Sequence, residues 1–88
     1  MQGVAVGRVI HYFPAADDEQ AKWNGNNGPI SATITRVWNA DLGYINLTAF
    51  PDSHPPIMRQ SVSHKAQVEN KPDFKDETID YWDWPART

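Results

Sequence analysis

The chain has 88 residues, with four Trp, three Tyr, three Phe and no Cys, and a formal charge of −3 from 8 Lys plus Arg against 11 Asp plus Glu. A chain this short makes one domain, spanning residues 1–88, that buries about 60–65% of its unfolded surface, and without cysteine it has neither a disulfide scaffold nor a thiolate metal site. Its cations, among them Arg8, Arg36, Arg59 and Lys65, are scattered singly, whereas nucleic-acid binding needs clustered positive charge, and no run approaches the ~20 apolar residues of a bilayer span.

The first stretch, VAVGRVIHYF over residues 4–13, is β-branched and aromatic and predicts a strand. Alternation sets Val6, Ile10 and Tyr12 on one face and Val9 and Phe13 on the other, with Gly7 as a bend or bulge. PAADDEQAKWNGNNGP follows. Asp17 and Gln20 have the spacing of a capping box, and a short helix is expected over residues 15–23, ending at Asn24-Gly25. The acidic run Asp17-Asp18-Glu19 reads as capping and solvated charge rather than paired catalytic carboxylates.

ISATITRVW, residues 30–38, alternates with Ile30, Ala32, Ile34 and Trp38 on one face and Ser31, Thr33 and Thr35 on the other. NADLG then turns the chain, and YINLTAF, residues 44–50, puts Ile45, Leu47 and Ala49 on one side, completing an antiparallel hairpin. After PDSHPP, whose prolines cannot donate to a ladder, residues 57–64 form a fourth strand. Residues 65–80 are the most polar stretch, a surface excursion with a helical turn and Val68, Phe74 and Ile79 as apolar anchors. The chain closes on DYWDWPART. A strand there turns Trp82 and Trp84 to one face and Tyr81 and Asp83 to the other, and Pro85 forbids further pairing. The expected fold is mainly β: a small SH3-like antiparallel β-barrel of about five strands with one short helix in the first long loop. Trp38, Trp82 and Trp84 are its expected core and closure residues.

Chemistry-bearing residues are sparse. His11, His54 and His64 lack the spacing of a zinc pair. Ser61 and Ser63 lie beside His64 without a Gly-x-Ser-x-Gly elbow, and WNGNNGP lacks the Lys-Ser/Thr of a phosphate loop. Asn46-Leu47-Thr48 matches a glycosylation acceptor, yet it falls inside a strand. No catalytic residue, metal or cofactor is expected. The candidate ligand site is KWNGNNGP, where Trp23 would stack on a flat, nucleotide-like molecule and Asn24, Asn26 and Asn27 would read its polar edge. Turn formation and helix anchoring are the competing roles of those residues.

In order, Gly7-Arg8-Val9-Ile10-His11-Tyr12, Arg36-Val37-Trp38, Tyr44 to Phe50, Ser61-Val62 and Trp82-Asp83-Trp84-Pro85 resemble small proteins of tailed phages and prophages. These pieces cover a third to a half of the chain. The chain departs from that pattern at Asp52-Ser53, where an Asp-Gly turn is usual, and in the greater length of the charged stretch from Lys65 to Asp80. The resemblance implies a compact SH3-like barrel without assigned catalytic activity and transfers no functional residues. Taken with the sparse chemistry, the scattered charge and the short chain, it suggests a non-enzymatic protein, most simply a virion component, that binds other phage proteins or itself and not nucleic acid or membrane, in the virion or the host cytoplasm. The alternative is an accessory protein that binds a nucleotide-like host molecule or a host defence protein.

Overall fold

The structure is a computed structural model and describes residues 3–15, 19, 29–69 and 79–85. Its centre is the hairpin of β2 (Ile30–Asn39) and β3 (Tyr44–Ala49), where alternate residues bury one face. Asn39 shapes the turn between them, because its Oδ1 accepts from the backbone N–H groups of Asp41 and Leu42. Gly43 supplies the positive φ of 69° that follows. β1 (Val9–Phe13) pairs with the outer side of β2, and β4 (Ile57–Val62) with the outer side of β3. β5 (Tyr81–Asp83) adds to β1. The sheet runs β4-β3-β2-β1-β5, antiparallel throughout, and curls into a half-barrel.

Register makes the two faces plain. Ile10, Ala32, Ala49 and Ile57 lie directly across from one another on four strands and are all buried. The next row outward along the strands, Val9, Thr33, Thr48 and Met58, faces the other way. The inner face is completed by Tyr12, Ile30, Ile34, Ile45, Leu47, Val62 and Trp82.

Two contacts draw the ends of the sheet together. The Trp82 backbone N–H donates to Ser63 O at 3.1 Å, within a parallel bridge between His64 and Trp82. Further along, Arg59 Nε donates to the Tyr12 hydroxyl at 3.3 Å, and that hydroxyl donates to Asp80 Oδ2 at 2.8 Å. A side-chain chain thus spans from β4 to the residue preceding β5. The Trp82 indole crosses the interior as well, donating through Nε1 to Gly43 O at 2.8 Å. The last strand is tied at once to β1, to the end of β4 and to the β2–β3 turn.

Several expectations need correction. The first strand begins at Val9 rather than Val4, because Gly7, at φ 91°, bends the chain, and Val6 is left 65% exposed instead of facing the core. The helix expected over residues 15–23 lies almost wholly outside the described residues. The helix that the structure does show, α1 (Lys65–Glu69), opens the polar excursion and buries Val68. Residues 70–78 of that excursion lie outside the described residues.

The largest correction is Trp38, expected in the core and found 53% exposed. β2 and β3 change register between Ile34 and Arg36, and again between Val37 and Asn39. Each shift inserts an extra residue on β2, which reverses the parity of every side chain beyond it. Val37 therefore packs against the core in the place that strict alternation assigns to Trp38. At the Asp52-Ser53 turn, Ser53 holds φ 60°. That is the left-handed region glycine favours, which accounts physically for an Asp-Gly pair at such a turn.

Candidate interaction face

Asn46 lies on β3 between two irregularities. On one side β2 carries its extra residue between Ile34 and Arg36; on the other, β4 gains one opposite the step from Ile45 to Leu47. On β4 the bulge includes Ser61, whose φ of 56° is left-handed. A single carboxamide oxygen ties both bulges. Asn46 Oδ1 accepts from Trp38 Nε1 at 2.7 Å and from the Ser61 backbone N–H at 3.0 Å. Inside a strand and bonded through its oxygen to both bulges, Asn46 has a structural role.

The consequence is an exposed aromatic held in one orientation. β2's bulges turn Trp38 outward, Asn46 fixes its indole edge, and the Arg36 guanidinium sits 3.7 Å from the ring centroid. Such a cation–π contact contributes about 0.5–1 kcal/mol at an exposed site. Beside this pair is a shallow hollow of about 210 Å³, lined by Thr35, Asn46, Leu47, Thr48, Met58, Arg59 and Gln60. Ligand pockets for drug-sized molecules run roughly 300–1,000 Å³. The hollow therefore suits one protruding side chain better than a whole cofactor. Met58 stands at its rim, 79% exposed.

The face is also short of charge. Although 22% of the chain is Asp, Glu, Lys or Arg, the row Val9, Thr33, Thr48, Met58 carries none, and the pair His11 and Ser31 beside it carries no acid or base stronger than imidazole. Depletion of charge, together with exposed Trp, Met and Arg, is the compositional mark of a protein interface. An ordinary solvated sheet face would intersperse charges of both signs.

His64 and Tyr12 are engaged in holding the fold. His64 Nδ1 accepts from the Ala66 backbone N–H at 3.0 Å, so the ring proton sits on Nε2 and faces Asp83 Oδ1 at 3.1 Å. The same carboxylate oxygen accepts from Trp84 N at 2.8 Å, and the imidazole packs edge-on against Trp82 with centroids 4.7 Å apart. Neither nitrogen is left to activate Ser61 or Ser63. His64 instead caps α1 and braces β5. Tyr12 is similarly committed: burial, and then the neighbouring Asp80 carboxylate, push its hydroxyl well above the ordinary tyrosine value. It remains a hydrogen-bond donor at neutral pH. Among the described residues, no three His, Asp or Glu side chains converge as metal ligands.

Of the residues singled out in the sequence, Trp23, Asn24, Asn26 and Asn27 lie outside the described residues. Trp82 is fully buried. Trp84 is half-buried, packed on the core cluster, 5.0 Å from Trp82 between centroids and 5.2 Å from the Arg8 guanidinium carbon. Asn46, Arg36 and Met58 carry the face and were not singled out as site residues. Alternation alone hides them, since their importance arises from where the bulges fall. No family model, curated protein or solved structure matches the chain.

Proposed function

We propose that the chain is a non-enzymatic protein-binding module on an SH3-like barrel framework, working as a virion-associated component of a tailed phage. The binding role is supported above all by Trp38: two strand bulges, an asparagine hydrogen bond and a stacked arginine hold a large aromatic outside the core. A small domain with little apolar surface to spare would gain stability by burying that ring. Its rigid display instead lowers the ordering cost that a partner would otherwise meet, and Trp and Arg are the side chains most enriched among interface hot spots. The phage setting rests on the sequence resemblance. The non-enzymatic reading rests on the structural engagement of His64, Tyr12 and Asp83.

Substituting Trp38→Ala tests the binding role. Hot-spot truncations cost about 2 kcal/mol or more of binding free energy, so capture of purified phage structural proteins on immobilised chain should fall by about 30-fold or more. Loss of the Asn46 hydrogen bond and the Arg36 contact, about 1–2 kcal/mol together, should lower the melting temperature by about 4–16 °C and leave the chain folded, because the ring lies outside the core. Undiminished capture by the variant would refute the assignment of the face. Mass spectrometry of purified virions tests the setting separately: the chain should be present in particles at a fixed ratio to the structural proteins, and its absence would remove the virion role.

A further inference from the structure

The outer face around Trp38 is rich in hydrogen-bond donors and has used up its nearest acceptor. Asn46 Oδ1 takes two N–H groups, one from Trp38 Nε1 and one from Ser61. Because both partners are donors, the carboxamide has only one workable orientation, and its Nδ2 hydrogens are left without a partner among the described residues. Arg36 lies directly across from Asn46 in the β2–β3 register. Its guanidinium sits over the Trp38 ring, 3.7 Å from the centroid, and its N–H groups have neither an ion pair nor a hydrogen bond among the described residues.

The geometry points to this spot as the anchor for an acidic segment of a partner protein: a carboxylate seats on the Arg36 guanidinium and the Asn46 Nδ2–H, and an aliphatic side chain next to it enters the hollow. This rests on the binding-face reading above and names the partner's chemistry. An ionised carboxylate only accepts, and its two oxygens match the guanidinium fork. Stacking on an indole that Asn46 holds fixes the plane of that fork before a partner arrives, so less freedom is lost on binding. Asn46 also lines the hollow, to which Leu47 and Met58 contribute apolar walls.

Charge selects the occupant. The neighbouring row Val9, Thr33, Thr48 and Met58 holds no acid to compete for Arg36. One guanidinium balances one carboxylate, whereas a phosphorylated side chain carries about −1.5 to −2 at neutral pH and would be left with charge unmatched. The chain's net charge of −3 opposes an acidic partner at long range, but such fields are screened beyond about 8 Å at physiological ionic strength. Two of the acids behind it, Asp80 and Asp83, are engaged by Tyr12 and His64 at the β5 end of the sheet, two strands away from β2. The donors in contact therefore decide.

Titrations of the isotope-labelled full chain, followed by NMR at Trp38 Nε1–H and Arg36 Nε–H, test the proposal with three acetylated and amidated peptides that carry Leu-Glu-Leu, Leu-Gln-Leu or Leu-Lys-Leu between glycines. The Glu peptide should shift both signals, and the Gln and Lys peptides should bind about tenfold more weakly or not at all, the cost of losing a charge-assisted pair. Arg36→Gln should remove that preference, and Arg36→Glu should turn it toward the Lys peptide; thermal melts check that both variants fold, as an exposed strand position allows. Equal binding of the Glu and Gln peptides to the wild type overturns the proposal. So does a preference for Glu that survives in Arg36→Gln, or the absence of any shift at millimolar peptide. Inorganic phosphate that shifts the same signals at lower concentration than the Glu peptide would make this a phosphate site and overturn the acidic segment as its occupant. Capture of phage structural proteins by the wild type and by Trp38→Ala is read separately, so the carboxylate anchor can fail while the binding face stands.

Discussion

Replacing Trp82 by alanine should unfold the protein or leave it barely stable at room temperature. The side chain is fully buried, its backbone N–H bridges to Ser63, and its indole N–H satisfies Gly43 O inside the core. Trp→Ala in a core costs about 3–5 kcal/mol, while a domain of this size has a total stability of about 5–10 kcal/mol. Truncation before Asp80 should do more. It also removes the carboxylate that holds the Tyr12 hydroxyl and frees the edge of β1 that β5 covers, and exposed strand edges template aggregation. Circular dichroism melts and light scattering report both. A truncated chain that melts within a few degrees of the full-length protein would show that the tail is an external anchor and that the seam closes without it.

The second large effect falls on Asn46. Asn46→Ala removes the acceptor shared by Trp38 Nε1 and the Ser61 N–H, and should cost about 1–3 kcal/mol, two hydrogen bonds at a net worth of about 0.5–1.5 kcal/mol each. For a domain of 60–100 residues, that is a fall in melting temperature of about 4–8 °C per kcal/mol. Asn46→Asp keeps an oxygen in place and should recover most of the loss. Binding at the Trp38 face should fall in the alanine variant even under conditions where it remains folded, because the indole loses the contact that fixes it. Equal melting temperatures for Ala, Asp and wild type would mean that the bulges hold themselves and that Asn46 is incidental.

Much of the sheet was legible as alternation. Ile45, Leu47 and Ala49 all face the core as a period of two requires, as do Ile30, Ala32 and Ile34. The C-terminal stretch was readable for the same reason, with Trp82 inward and Tyr81 stacked outside against Phe13 at 4.9 Å. Alternation assumes constant register, however, and a bulge leaves no required residue in the sequence. Thr35 and Trp38 look like ordinary strand residues, so the reversal that exposes Trp38 was invisible. Ser61 hid a second bulge, since a left-handed conformation is read from glycine or asparagine and seldom from serine. Gly7 was the exception: a glycine within a β-branched run signals a bend, and the strand proper begins after it, at Val9. The site was less legible than the fold because it is made by those bulges. Its row of uncharged side chains becomes visible only when register places Val9, Thr33, Thr48 and Met58 side by side.

The two tryptophans stand in contrast: Trp82 is buried in the core, and Trp38 is held outside it. Hydrogen exchange of the indole N–H groups, followed by NMR and assigned through single Trp→Phe variants, measures that contrast directly. Trp82 Nε1–H, bonded to Gly43 O in the interior, should exchange at the slow rate set by global unfolding, whereas Trp38 Nε1–H, bonded to Asn46 at the surface, should exchange orders of magnitude faster through local opening. Equal protection of the two, or faster exchange at Trp82, would contradict it.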